Sequence, residues 1–241
     1  MEVAGKVILL LKNGDGLATA IFGGLHPSPN SNSRTLKESF GLPLDSYGIK
    51  NQKASGEIIH FINSSGQYEV SVLLVQNYEP PVLACALNEI LLKLAGDDSS
   101  TMPKLIVPYI MPEHKLKQEN KYLVKGDDVS VYGIKLGPST DVTDALSSRL
   151  QKPPPSLQIY REDLATLLHL VNVMKLPTVA LIGRSGQCIS SKNFKEEIEV
   201  ICQIGELLAS DLCLSFSKDN MVQNPIKTSR DSDEAWRALY G

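Results

Sequence analysis

Gly183-Arg184-Ser185-Gly186 is where nucleophilic chemistry would first be sought in this sequence. It follows an apolar run at 178–182, and a nucleophile elbow exposes its serine on just such a strand-to-helix turn. The second glycine comes one residue too early for Gly-x-Ser-x-Gly, and Cys188-Ile189-Ser190-Ser191 intervenes before the next helical pattern. The hydrolase order also puts the histidine after the serine, whereas His26, His60, His114 and His169 all precede it. The quartet is read as a plain turn, with an α/β hydrolase- or phosphorylase-like enzyme using it as the alternative.

No other chemistry is spelled out. The histidines lack metal-site spacing and no CxxC pair exists, so no metal is expected. His169 lies in an apolar helical pattern and is read as a packed side chain donating to a backbone carbonyl. Gly14, Gly16, Gly23 and Gly24 follow the first strand but form no phosphate-binding fingerprint, and Asp15 puts an acid where a phosphate would sit. Asp97-Asp98 and Asp127-Asp128 read as solvated turns. Cys85, Cys188, Cys202 and Cys213 sit in apolar settings, which suits reduced, buried thiols of the cytosol or nucleus. No catalytic residue and no cofactor is expected.

The C-terminal end carries a different chemistry. Trp236, the sole tryptophan, precedes Leu239-Tyr240-Gly241. Aromatic side chains outside a core are typical interface anchors. An apolar wedge, a ring with a hydroxyl and a carboxylate make a compact docking key. Two readings stay open: the segment docks on another protein, or it packs on its own domain. The last 25 residues hold four acidic and four basic side chains, so charge selects no partner there.

These residues need a frame. Residues 7–11 read as a buried strand, and 17–22 as a short apolar run of either type. Residues 23–55 read as loop. Strands at 57–63 and 69–76 flank Ser64-Ser65-Gly66-Gln67, a hairpin. A helix at 80–95 opens on Pro80 and Pro81 and closes at Gly96. A strand at 104–110, a polar excursion at 112–128 and a strand at 129–136 follow, then a short helix opened by Ser139 or Thr140. Pro153-Pro154-Pro155 breaks the chain. The next helix, 161–174, is apolar almost all round and so is expected to be buried on most sides. A strand at 178–182, a helix at 194–208 and a strand at 212–216 complete the pattern. The alternation predicts a single layered α/β domain over 1–216, with a mixed, largely parallel sheet flanked by helices. Residues 217–241 form a polar connector and docking tail, with a short helix at Asp231 to Leu239.

Composition bounds the partners. Apolar residues make up 42% of the 241, enough for a core. Lys and Arg number 24 against 27 acids, so no nucleic-acid footprint stands out. No run reaches 18 apolar residues, so no membrane span is expected.

Leu239-Tyr240-Gly241 resembles the hydrophobic–Tyr–any tail by which proteasome activators and assembly chaperones dock between α-subunits of the core particle. Residues 155–208 also resemble the proteasome assembly chaperone 1 family. That family carries a Leu-Pro-x-Ala … Lys-x-Pro-Ala run, which here reads Asp163-Leu164-Ala165-Thr166 and Lys175-Leu176-Pro177-Thr178. No proline follows Leu164. The resemblance covers about a quarter of the chain plus the tail. It implies a cofactor-free chaperone of α-ring assembly, working as a heterodimer with a proteasome assembly chaperone 2-like partner. Leu239, Tyr240, Gly241 and Trp236 would be the residues that bind proteasome α-subunits.

Overall fold

Strand β1 (Lys6–Leu11) is Lys-Val-Ile-Leu-Leu-Leu, and its five apolar residues are all buried. Successive side chains point to opposite faces of a sheet. Val7, Leu9 and Leu11 therefore enter one hydrophobic cluster, and Ile8 and Leu10 enter the other. An unbroken apolar run is what a strand covered on both faces requires. A computed structural model of the protein describes residues 1–13, 16–29, 31–96, 102–112, 131–153, 157–185 and 191–218.

After β1 come α1 (Leu17–Gly24), β2 (Leu25–Pro27), β3 (Arg34–Pro43), a 3-10 turn (Asp45–Tyr47), β4 (Lys53–Ile62) and β5 (Tyr68–Val75). Then follow α2 (Val82–Ala95), β6 (Lys104–Pro112), β7 (Val131–Leu136), α3 (Asp141–Ser148), α4 (Glu162–Val173), β8 (Thr178–Ser185), α5 (Ser191–Asp211) and β9 (Leu214–Phe216). Seven strands form one sheet in the order β3-β4-β5-β1-β6-β8-β7. β5, β1, β6 and β8 run parallel; β4 and β3 continue antiparallel at one edge, and β7 is antiparallel at the other. Helices α2 and α4 cover one face, and α1, α3 and α5 cover the other. The expected α/β architecture with a mixed, largely parallel sheet is the one observed.

Local chemistry explains several elements. Asn63 Oδ1 accepts from the backbone N–H groups of Ser65 and Gln67 at 3.0 and 2.9 Å, which folds the β4–β5 hairpin. Thr140 accepts from Thr143 N–H at 3.3 Å, and Thr143 Oγ1 accepts from Thr140 N–H at 3.0 Å. This reciprocal cap starts α3. Gly96 takes φ +63° at the end of α2.

The expectations for the 23–55 stretch, the 161–174 helix, His169 and the cysteines are corrected. The 23–55 stretch holds β2, the ten-residue β3 and the start of β4 rather than loop alone. The 17–22 run, left open between helix and strand, begins helix α1. Helix α4 is not buried on most sides: Leu164, Leu167 and Val171 face the core, while His169 is exposed and Val173 is 63% exposed. His169 is thus no packed core histidine. Strand β9 does not join the main sheet but pairs with β2 in a separate ribbon. Of the cysteines, Cys202 is buried, Cys85 half-buried and Cys213 exposed, so burial holds for only one of these three. Cys188 lies outside the described residues.

Candidate functional site

The Gly-Arg-Ser-Gly quartet is not a turn over its first three residues. Gly183, Arg184 and Ser185 continue β8, in register with Ile110, Met111 and Pro112 of β6. A Cβ at Gly183 would strike Val200 Cγ1 and lie 3.0 Å from Ile204 Cδ1. Glycine is needed there because α5 crosses β8 closely. The glycine has a packing reason, and Ser185 lies on an extended strand rather than the sharp bend that an elbow needs.

Trp236, Leu239, Tyr240 and Gly241 lie outside the described residues, as does the short helix expected at Asp231 to Leu239. The described residues instead bring together two buried polar clusters that periodicity does not reveal.

The first sits toward the carboxyl end of the parallel strands, where open α/β sheets bind ligands. Tyr109 of β6 is 1% exposed, and its hydroxyl donates to Asp163 Oδ2 at 2.5 Å. Asp163 stands in the first turn of α4, where a carboxylate also meets the positive end of the helix. The Arg161 guanidinium donates to both its oxygens, at 3.2 and 2.9 Å. The same guanidinium lies 5.4 Å from the Tyr109 ring centroid, in cation–π range. The Asn13 side chain, just past β1, also acts on the Tyr109 hydroxyl. Its Oδ1 is buried and has no hydrogen-bond partner among the described residues.

Electrostatics fix the protonation states. Burial pushes the Tyr109 phenol far above its ordinary range, and the Asp163 hydrogen bond and charge add to that. Burial alone would raise the Asp163 carboxyl, but hydrogen bonds from Arg161 and Tyr109 and the Arg161 charge outweigh it and hold it below 3.8. Tyr109 is therefore a neutral donor and Asp163 an ionised acceptor at neutral pH. Neither is poised to exchange a proton there. The cluster ties α4 to the strand ends.

The second cluster has the residue types of a hydrolytic triad. His60 of β4 is 1% exposed and its Nδ1 lies 2.9 Å from Ser71 Oγ of β5. Glu38 of β3 stands 3.9 Å from Nε2. Ser71 is fully buried, however, and its Oγ accepts from the Ala4 N–H at 2.8 Å. Ser71 Oγ and His60 Nδ1 share one further hydrogen bond, and Nε2 is turned toward Glu38. Tyr68 stacks on the imidazole at 4.3 Å and closes the last side. No substrate atom can reach this serine. The pair fastens the segment before β1 to the sheet. Its signal in the sequence was a lone histidine among Ile58, Ile59, Phe61 and Ile62.

A shallow depression of about 350 Å³ beside Lys53, Tyr78 and Glu79 includes neither serine nor histidine. Among the described residues, no group of three potential ligands could hold a metal, and no helix is long and apolar enough to cross a membrane.

The comparison with family models is decisive for kinship, since one model matches residues 1–241. The chain belongs to the DUF7894 family, a domain of unknown function. No curated protein matches this DUF7894 chain. Among solved structures it is similar to a Mycobacterium tuberculosis protein of unknown function, at 13% identity and TM-score 0.53, over 98% of this chain and 79% of the other. It is similar to a PAC2 family protein from Streptomyces avermitilis, at 12% identity and TM-score 0.52, over 97% and 95% of the two chains. It also matches Pyrococcus furiosus PbaB, an archaeal proteasome activator, at 10% identity and TM-score 0.48, over 100% and 96%. The first two extend the fold likeness over nearly the whole DUF7894 chain.

Proposed function

We propose that this protein is a binding protein of the proteasome-assembly kind. It would recognise α-subunits of the immature core particle through Leu239, Tyr240 and Gly241, with Trp236 as a second anchor. A chaperone of related fold would be its heterodimer partner, in the cytosol or nucleus. The observation that carries this reading is the fold shared with a PAC2 family protein along 97% of the chain, in a sequence that also bears the hydrophobic–Tyr–any segment. Both buried clusters support it indirectly. Their donors and acceptors are spent on holding strands and helices together, which suits a rigid docking platform better than a reaction centre.

The test is affinity purification from native cells of the wild-type protein, of Tyr240→Ala and of a variant lacking residues 239–241. Reduced recovery of proteasome α-subunits with retained recovery of a second chaperone is the expected result. Undiminished recovery of α-subunits by both variants would sink the docking assignment.

A further inference from the structure

Among the described residues, strand β3 is the outermost strand of the sheet, and one of its edges carries backbone groups that no described strand pairs. It is ten residues long, and positions 34–39 are all exposed. Leu36 is 37% exposed, an apolar side chain in the middle of a charged run, Arg34-Thr35-Leu36-Lys37-Glu38. A long open edge of this kind invites another strand.

The side chains say which strand. Two copies joined antiparallel through the same edge are related by a twofold axis perpendicular to the sheet. Such an axis leaves each face on its own side, so residues directly opposite must have the same parity. Lys37 therefore cannot stand opposite Glu38. Registers centred on Lys37 or on Glu38 put a like charge against itself, which opposes pairing. The register centred on Leu36 does the reverse. Leu36 meets Leu36 on the axis, Arg34 meets Glu38 on both sides of it, and Thr35 meets Lys37 on the other face. No other symmetric register of this strand pairs opposite charges.

We propose that the β3 edge is a self-association surface, on which a second copy of this chain adds its own β3 antiparallel with Leu36 on the twofold axis. Charge complementarity and the self-matched leucine select the second copy as occupant. The surface is separate from the 239–241 segment and does not depend on the docking role argued above.

The experiment is sedimentation of the full chain between about 1 and about 100 µM, with charge reversals at Arg34 and Glu38 whose monomer fold is checked by circular dichroism. Wild type is expected to form a concentration-dependent dimer. Arg34→Glu and Glu38→Arg should each weaken it about tenfold, because each reversal converts two symmetry-related pairs to like charges. The double variant should restore the wild-type constant. A Leu36→Cys variant should form an intermolecular disulfide on oxidation faster than Lys37→Cys, beyond the background set by exposed Cys213. A chain that stays monomeric throughout, single reversals without effect, a double variant that fails to recover, or equal cross-linking at 36 and 37 would overturn the proposal.

Discussion

The two buried polar clusters solve one problem in opposite ways. Around Tyr109 the protein keeps a charge inside: Asp163 stays ionised because a guanidinium and a phenol donate to it. Around His60 it keeps charge out: burial lowers the imidazole below its ordinary 6.5, and Ser71 bonds it as a neutral ring. Removing a partner from a buried charge strands that charge, whereas removing one from a neutral pair leaves only an unpaired dipole. The first site should therefore be the more fragile to mutation and the second the more sensitive to mild acid.

The largest expected effect is at Asp163. Asp163→Ala leaves the Tyr109 hydroxyl without its acceptor and Arg161, about a quarter exposed, without its carboxylate. A loss of about 3 kcal/mol in unfolding free energy is expected. Tyr109→Phe keeps the ion pair and should cost about 1–2 kcal/mol. Chemical denaturation of the two variants checks the order. Equal losses would mean that the ion pair contributes nothing beyond the phenol's hydrogen bond.

How far the sequence discloses these sites depends on where each signal lies. β1, the β4–β5 hairpin and α2 are legible because burial leaves an apolar run at Val7 through Leu11 and at Ile58 through Ile62 and a helical period at Leu83 through Leu94. β3 leaves no such trace, since positions 34–39 are all exposed and burial selects no alternation there; backbone pairing with β4 holds it. Phe216 closes on Gly24 and Gly205 across the small β2–β9 ribbon, a partnership that three-residue strands cannot announce. Tyr109 and Asp163 are 54 residues apart, and neither has a local reason to seek the other. Conversely Ser185 looked chemical because strand, glycine and serine adjoin in sequence, and the close passage of α5 over Gly183 was invisible there.

Acid titration separates the clusters more finely. Between its lowered folded value and 6.5, His60 binds a proton in the unfolded chain but not in the folded one. Stability therefore rises with pH across that window, is complete above it, and falls as the imidazole is forced to charge. Asp163 behaves likewise one window lower: its contribution is present above the ordinary 3.8 and fades as pH drops toward its depressed value. Denaturation midpoints at about pH 7.5, 5.5 and 4.5 should decline in wild type and decline less in His60→Gln. An identical slope in the variant would show that His60 does not control this window.

The smallest effect is expected at Asn13, and it tests whether the first cluster is complete without it. Its side chain acts on the Tyr109 hydroxyl, yet its Oδ1 is buried without a partner among the described residues. Asn13→Ala removes that favourable interaction with the phenol and with it an unpaired buried acceptor whose desolvation costs about 1 kcal/mol. The two changes oppose each other, and unfolding free energy should move by less than about 0.5 kcal/mol. Asn13→Asp is the sharper companion. It would set a carboxylate beside the phenol that already serves Asp163, and the one phenolic proton cannot be given to both. A clear loss in Asn13→Asp alongside a neutral Asn13→Ala would place Tyr109 under the control of Asp163 alone. A loss in Asn13→Ala comparable to that in Tyr109→Phe would make the amide a full member of the cluster.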